Sequence, residues 1–333
     1  MSAQYLLNVW NRLLQASPGE VVWGLVSSSV VCAVLGVAAA LVVARVRRGT
    51  VAADRAPRDE RIALGGIAFA VGAVWIADVV LRGYALDMSA TVAWWRFAVA
   101  PIGAALGLAM LLLAMRARGP RRAVDAASVS RRTWTTSGPL RGIALYAAVV
   151  GVTIVVAVVF GRMSTSYGPG IAAHLTLEVP NTDVPPVVTI FPGWAYGIPL
   201  MVSVFVLAAA VFCALRRNAV RPFPASVSLD VERARRAEIA RGVVGIGIAA
   251  TSIVLGGVLR MARSAVATTI TTTSVSAGER RFDLLLPHAD LVLSGGVVAP
   301  LLEIGGVAML ALLVVRSIRV ARAPMRASAE IRA

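Results

Sequence analysis

Apolar runs long enough to cross a membrane recur along the chain, separated by segments in which arginine dominates. A hydrocarbon core roughly 30 Å thick takes about 20 apolar residues of helix. Seven runs meet that need, at about 20–44, 62–83, 93–115, 141–161, 191–215, 241–260 and 291–316. Ahead of them, Leu6, Val9, Trp10, Leu13 and Leu14 fall at helical spacing and predict an amphipathic interfacial helix within residues 1–17. Ser17-Pro18-Gly19-Glu20 resembles a capping box with proline at the first helical position, so a new helix, 18–46, starts there. Along it Gly24, Ser28, Cys32, Gly36, Ala40 and Ala44 place a small residue at every fourth position, a ridge that lets a second helix come close.

Two connections are long. Residues 162–190 carry IAAHLTLEV and PPVVTIF, and residues 262–290 carry AVATTITTTSV. Their β-branched, alternating character predicts short strands that build a small extracytoplasmic β-rich cap, with the two loops placed to pair with each other. The spans also resemble one another. VAPIGAALGLAM from Val99 aligns with VAPLLEIGGVAM from Val298, matching Pro101 with Pro300, Gly107 with Gly306 and Met110 with Met309. Pro199 takes the equivalent place in the fifth span, and the fourth and sixth spans both open on Arg-Gly, at Arg141 and Arg241. The fold class expected is therefore an all-α polytopic membrane protein of seven transmembrane helices. It is organised as one span plus three hairpin repeats, 61–117, 141–217 and 241–318, followed by a tail, 319–333.

Composition agrees: 58% of the residues are hydrophobic and the mean hydropathy is +0.78, outside the range of soluble globular chains. A net charge of +16 would suggest nucleic acid in a soluble protein. Here the charge is better read as a topology signal, because 25 of the 33 arginines fall in segments 45–61, 116–141, 216–241 and 316–333. Arg260 and Arg263 count with the opposite side. The expectation is N-terminus outside and C-terminus cytoplasmic, in a bacterial plasma membrane, with the lipid bilayer as partner and no nucleic acid. All the basic residues are arginine, which reads as a GC-rich coding bias. Residues 228–241 look like a charged helix running into the sixth span, its Arg/Glu spacing suited to a solvated face. Cys32 and Cys213 both lie in spans and form no motif.

Few residues carry candidate chemistry. Glu303 sits mid-span, and an acid at that depth is a functional candidate because its side chain cannot reach either surface. It must be protonated, face water or meet a partner. Arg96 is the one cation read as lying within a span, and Tyr146, Ser203, Thr251 and Ser252 are the hydroxyl alternatives. Asp78 and Arg96 occupy one hairpin and are placed to pair, although Arg82, four residues from Asp78, competes. Glu303, Asp78 and Arg96 form the expected substrate or proton site, with Pro300, Gly305 and Gly306 as its hinge. His174 and His288 lie in the long loops at spacings that carry no metal signature, and no cofactor is expected. The absence of lysine excludes a retinal Schiff base, and the absence of histidine from the spans excludes bis-histidine haem.

No Walker A, GxSxG or HExxH pattern occurs, so ATP hydrolysis would have to come from a cytoplasmic ATPase or another membrane-complex subunit. No catalytic pair can be set at one depth, which favours a non-enzyme. The reading is a transport-related protein, either a permease-like subunit or a proton-coupled carrier of a small or amphipathic solute. The alternative is a membrane scaffold or sensor whose β cap binds a ligand or protein.

Overall fold

The computed structural model describes residues 28–46, 58–86, 91–117, 139–166, 170–177, 186–220, 229–267, 269–274, 278–283 and 289–322, with Ser17 and Gly24. The interfacial helix expected over 1–17 lies outside this set apart from Ser17. The described helices are α1 (Ser29–Val46), α2 (Arg58–Val80), α3 (Val99–Ala117), α4 (Leu140–Met163), α5 (Trp194–Val220), α6 (Leu229–Val266) and α7 (Ala289–Arg322). A single π turn, Leu81–Ala85, extends α2. Among the described residues, six helices are long and apolar enough to cross a membrane. The apolar stretch of α3, Val99–Met115, is shorter. Residues 93–98, expected to be helical, are not, and 94–98 form turns. Helix α3 starts at Val99, so Pro101 falls in its first turn, where a missing N–H removes no intrahelical bond.

Helix α6 is the central stave. In it 83% of the apolar window is buried, against 22–39% in the other five. Helix α7 packs along α6, α1 and α2, while α3 and α4 both contact α5 and α6. The helices of each expected hairpin, α2 with α3, α4 with α5 and α6 with α7, are neighbours. Apolar side chains also cover the outside. Phe69, Leu106, Met110, Phe205 and Leu301 are all more than half exposed, a surface that suits lipid rather than water.

The small-residue ridge packs over the last four of its six positions, while Gly24 is exposed and Ser28 half-buried. Cys32, Gly36, Ala40 and Ala44 are the buried positions of α1. A Cβ on Gly36 would lie 2.8 Å from the Ile304 carbonyl oxygen and 2.8 Å from Val307 Cβ, so glycine sets how closely α1 meets α7.

Each long loop forms its own antiparallel hairpin among the described residues. Strand β1 (His174–Leu177) pairs with β2 (Val187–Ile190), and β3 (Thr269–Ser274) pairs with β4 (Gly278–Asp283). Among the described residues the expected pairing between the two loops does not form; the sheets are separate. A strand partner close in sequence costs less loop-closure entropy than one across the bundle.

The charged run does continue into the sixth span, as one 38-residue helix. Its face is not solvated throughout, however. Glu232 and Arg236 are buried and paired, with Arg236 Nε donating to Glu232 Oε1 at 3.1 Å. The burial has a structural cause, because arginines at this end cap neighbouring helices. Arg236 donates to the Ala219 carbonyl near the end of α5 (2.9 Å), Arg319 to Ala44 O of α1 (2.9 Å), and Arg58 to Ala321 O of α7 (2.6 Å). The last four carbonyls of a helix have no intrahelical donor and carry the negative end of its dipole, so a guanidinium fits there. Arg61 ties α2 to Glu238 of α6 at 2.9 Å.

These contacts make two positions a matched test. Gly36→Leu should destabilise the detergent-solubilised protein by about 1–3 kcal/mol through overpacking. Gly66→Leu, where a new Cβ meets nothing within 4 Å, should change little. Thermal unfolding of the two variants side by side checks this.

Candidate functional site

Glu303 is fully buried at the junction of α7, α6 and α1. Its partner is Arg260. Nε donates to Oε1 at 3.1 Å and Nη2 to Oε2 at 2.6 Å, a two-pronged guanidinium–carboxylate pair. From α1, Ser29 Oγ donates to Oε1 at 3.4 Å, and Arg260 Nη2 also reaches Cys32 Sγ at 3.4 Å. The pair follows from helix geometry. Side chains lean toward the N-terminus of their own helix. Helices α6 and α7 run antiparallel, with Gly306 against Ala249 and Ile253, and Gly296 against Arg263. Arg260 therefore leans inward from the end of α6, and Glu303 leans back to meet it. Gly256 makes room, since a Cβ there would lie 2.8 Å from Glu303 Cγ and 2.8 Å from the Ala299 carbonyl oxygen.

This overturns two expectations. The sixth span does not end at 260, nor does the connection start at 262, because α6 continues to Val266, so Arg263 is helical. Arg96 is not the partner of Glu303; its Nη1 reaches Met261 Sδ at 3.9 Å and its guanidinium carbon lies 5.2 Å from the Phe97 ring centre. The signal for Arg260 was present in the sequence. Met261, Ala262, Ala265 and Val266 continue the apolar face of α6 and are all buried, so the first arginine of the run did not mark the end of the span.

Asp78 pairs with Arg82 rather than Arg96. Arg82 Nε donates to Oδ1 at 2.7 Å, and a second bond joins Nη2 to Oδ2. The residues are one helical turn apart, and the π turn carries Arg82 alongside. Two of the hydroxyls considered for Glu303 are engaged within their own helices. Thr251 donates to Gly247 O (2.9 Å) and Ser203 to Leu200 O (2.7 Å). Tyr146 lies against Gly247.

Beside the pair is a cavity of about 390 Å³. Arg96, Arg260, Arg263, Ser264, Gly296 and Pro300 line it. Of the expected hinge residues, Pro300 lies inside α7 and on this wall, Gly306 packs on Ala249 O and Ile253, and Gly305 faces open space. His174 lies on β1, half-buried; His288 is outside the described residues.

The chain matches no protein-family model, no curated protein and no solved structure.

The pair is asymmetric, and so are the expected losses. Glu303 has 1% of its side chain exposed and Arg260 has 19%. Arg260→Gln leaves a buried carboxylate and should cost about 3–5 kcal/mol. Glu303→Gln leaves a guanidinium with a cavity beside it and should cost about 1–3 kcal/mol. The double variant should lose less than the sum of the two. A double-mutant cycle by unfolding in detergent reads all three values.

Proposed function

We propose that the protein is a proton-coupled carrier of a small or amphipathic solute, with the Glu303–Arg260 pair as its coupling site. The observation that carries this reading is a buried two-pronged ion pair with a small-solute-sized cavity on its arginine side. A buried pair replaced by apolar side chains is often more stable, so the pair is poorly explained by stability alone. An ionisable group at such depth is by default part of a pathway. Asp78–Arg82 and Arg96 extend the charged path toward the same end of the bundle. Pro300, which removes one backbone donor from α7, gives that helix a place to bend.

In this reading the three helical hairpins are a parallel repeat, and Glu303 is an addition to it, since Ala104 and Val202 hold the equivalent places. The arginine-rich ends face the cytoplasm of a bacterial cell. The helix-capping roles of Arg58, Arg236 and Arg319 are compatible with that orientation, because a capped arginine is still at a helix end.

A second reading has one observation in its favour. A groove of about 510 Å³ at the base of the first β-hairpin is lined by Trp94, Ile171, His174, Trp194 and Ile198. An aromatic groove of this size suits a sensor or scaffold that holds a ligand there.

The test uses proteoliposomes loaded with a pH-sensitive dye and given the small-molecule fraction of the source cells. Wild-type protein should carry protons inward with solute. Glu303→Gln, folded by size-exclusion and thermal criteria, should lower the rate at least roughly a hundredfold, on the scale of the transition-state arithmetic for removing a required proton carrier. A Glu303→Gln rate equal to wild type rejects the coupling role. Loss of function on mutating Trp194 with Glu303 dispensable supports the sensor reading instead.

A further inference from the structure

The wall of the Glu303–Arg260 cavity points to one chemical class of ligand. We propose that the cavity binds a small anion through phosphate or carboxylate oxygens, and that Arg260 passes from Glu303 to that anion as Glu303 accepts one proton. This deepens the carrier reading and rests on it.

The lining carries three guanidinium groups and no carboxylate among the described residues. Glu303 uses Nε and Nη2 of Arg260, so the two N–H groups of Nη1 are left over on a side chain that lines the cavity. Arg96 comes from the segment before α3 and lies against the Met261 sulfur and the Phe97 ring, both weak partners for a cation. A planar guanidinium is matched to two oxygens of a carboxylate or phosphate, and two of them around one cavity make a clamp. A volume of about 390 Å³ is at the small end for organic ligands.

The loss of its partner dictates the proton. Glu303 is fully buried and its charge is matched by Arg260. The arriving anion is met by the guanidinium of Arg96, and when Arg260 also turns to it Glu303 is left as a buried carboxylate without a counter-charge, which is costly away from water. One proton from the aqueous mouth of the cavity onto Glu303 removes that charge, giving an anion held by Arg260 and Arg96 beside a neutral acid. The groups facing Glu303 among the described residues are Arg260 from α6 and the uncharged Ser29 and Cys32 from α1. Arg96 acts on the site from further away. Asp78 and Arg82 of the α2 end neutralise each other.

The experiment is calorimetric titration of the whole protein in phosphatidylcholine nanodiscs with inorganic phosphate and with acetate, in weak buffer so that proton uptake is read as well. At least one anion should bind wild type with about one proton per anion. Arg96→Gln should weaken binding roughly tenfold or more, and Arg96→Lys should recover most of it. Glu303→Gln should still bind the anion but take up no proton. A parallel arm reconstitutes the protein with phosphatidylglycerol and counts retained lipid by native mass spectrometry. One lipid lost in Arg96→Gln, with no soluble anion bound, assigns the same site to a lipid headgroup. If neither soluble anion nor lipid binding depends on Arg96, the anion site is wrong. If proton flux still requires Glu303 in that case, the carrier reading stands alone. If anion binding holds but flux ignores Glu303, the carrier reading falls and the site remains.

Discussion

A guanidinium and a carboxylate that meet inside an apolar bundle impose a constraint that the surrounding residues satisfy. Each alone would be expensive to bury, so Arg260 and Glu303 must be brought to hydrogen-bonding distance by the backbone around them. The antiparallel run of α6 and α7 points the two side chains at each other. Gly256 opens the space for the Glu303 stem, and Gly306 and Gly36 let α6 and α1 close on α7 at either side. Ser29 and Cys32 then supply polar contacts from the first helix. The small-residue ridge of α1 and the glycines of α6 and α7 are thus parts of one arrangement that keeps a charge pair dry and paired on one side and open to a cavity on the other.

The arginines at the opposite end do more than report topology. Arg58, Arg236 and Arg319 each close the C-terminal carbonyls of a neighbouring helix, so α2, α6 and α7 are linked to α7, α5 and α1 through helix ends. Two demands coincide there. The arginine-rich segments adjoin helix ends, and unsatisfied carbonyls at those ends accept arginine N–H groups. Glu232 and Glu238 then balance the arginines that this packing buries.

Much of this was legible from hydrophobic spacing. The apolar runs located six of the membrane-length helices, and the every-fourth-residue pattern of α1 identified its packing face. Period-two patterning found β1, β2 and β3. Glu303 stood out because a carboxylate within an apolar run is rare. What sequence missed was mostly depth and partner choice. Arg260 was counted with the opposite side because the span was closed at that arginine, yet a long side chain leaning down its helix can remain inside. Asp78 was open to Arg96 across a hairpin or to Arg82 along its own helix, and the i,i+4 neighbour is closer by construction. The burial of Glu232 and Arg236 was invisible because an amphipathic charged pattern looks the same whether its polar face meets water or the end of α5. The start of α3 at Val99 was marked by Pro101, a signal outweighed by the apolar count ahead of it.

The account turns on Arg260 and Glu303 touching in the membrane. Solid-state NMR of bilayer-reconstituted protein, labelled with ¹⁵N in arginine side chains and ¹³C in glutamate carboxylates, measures that contact through its dipolar coupling. The predicted result is a short-range guanidinium–carboxylate signal that disappears in both Arg260→Gln and Glu303→Gln, while the signals from Arg61–Glu238 and Arg236–Glu232 persist. Identical spectra for wild type and the two variants would mean that the pair does not form, and the site, its cavity and its coupling role would fall together.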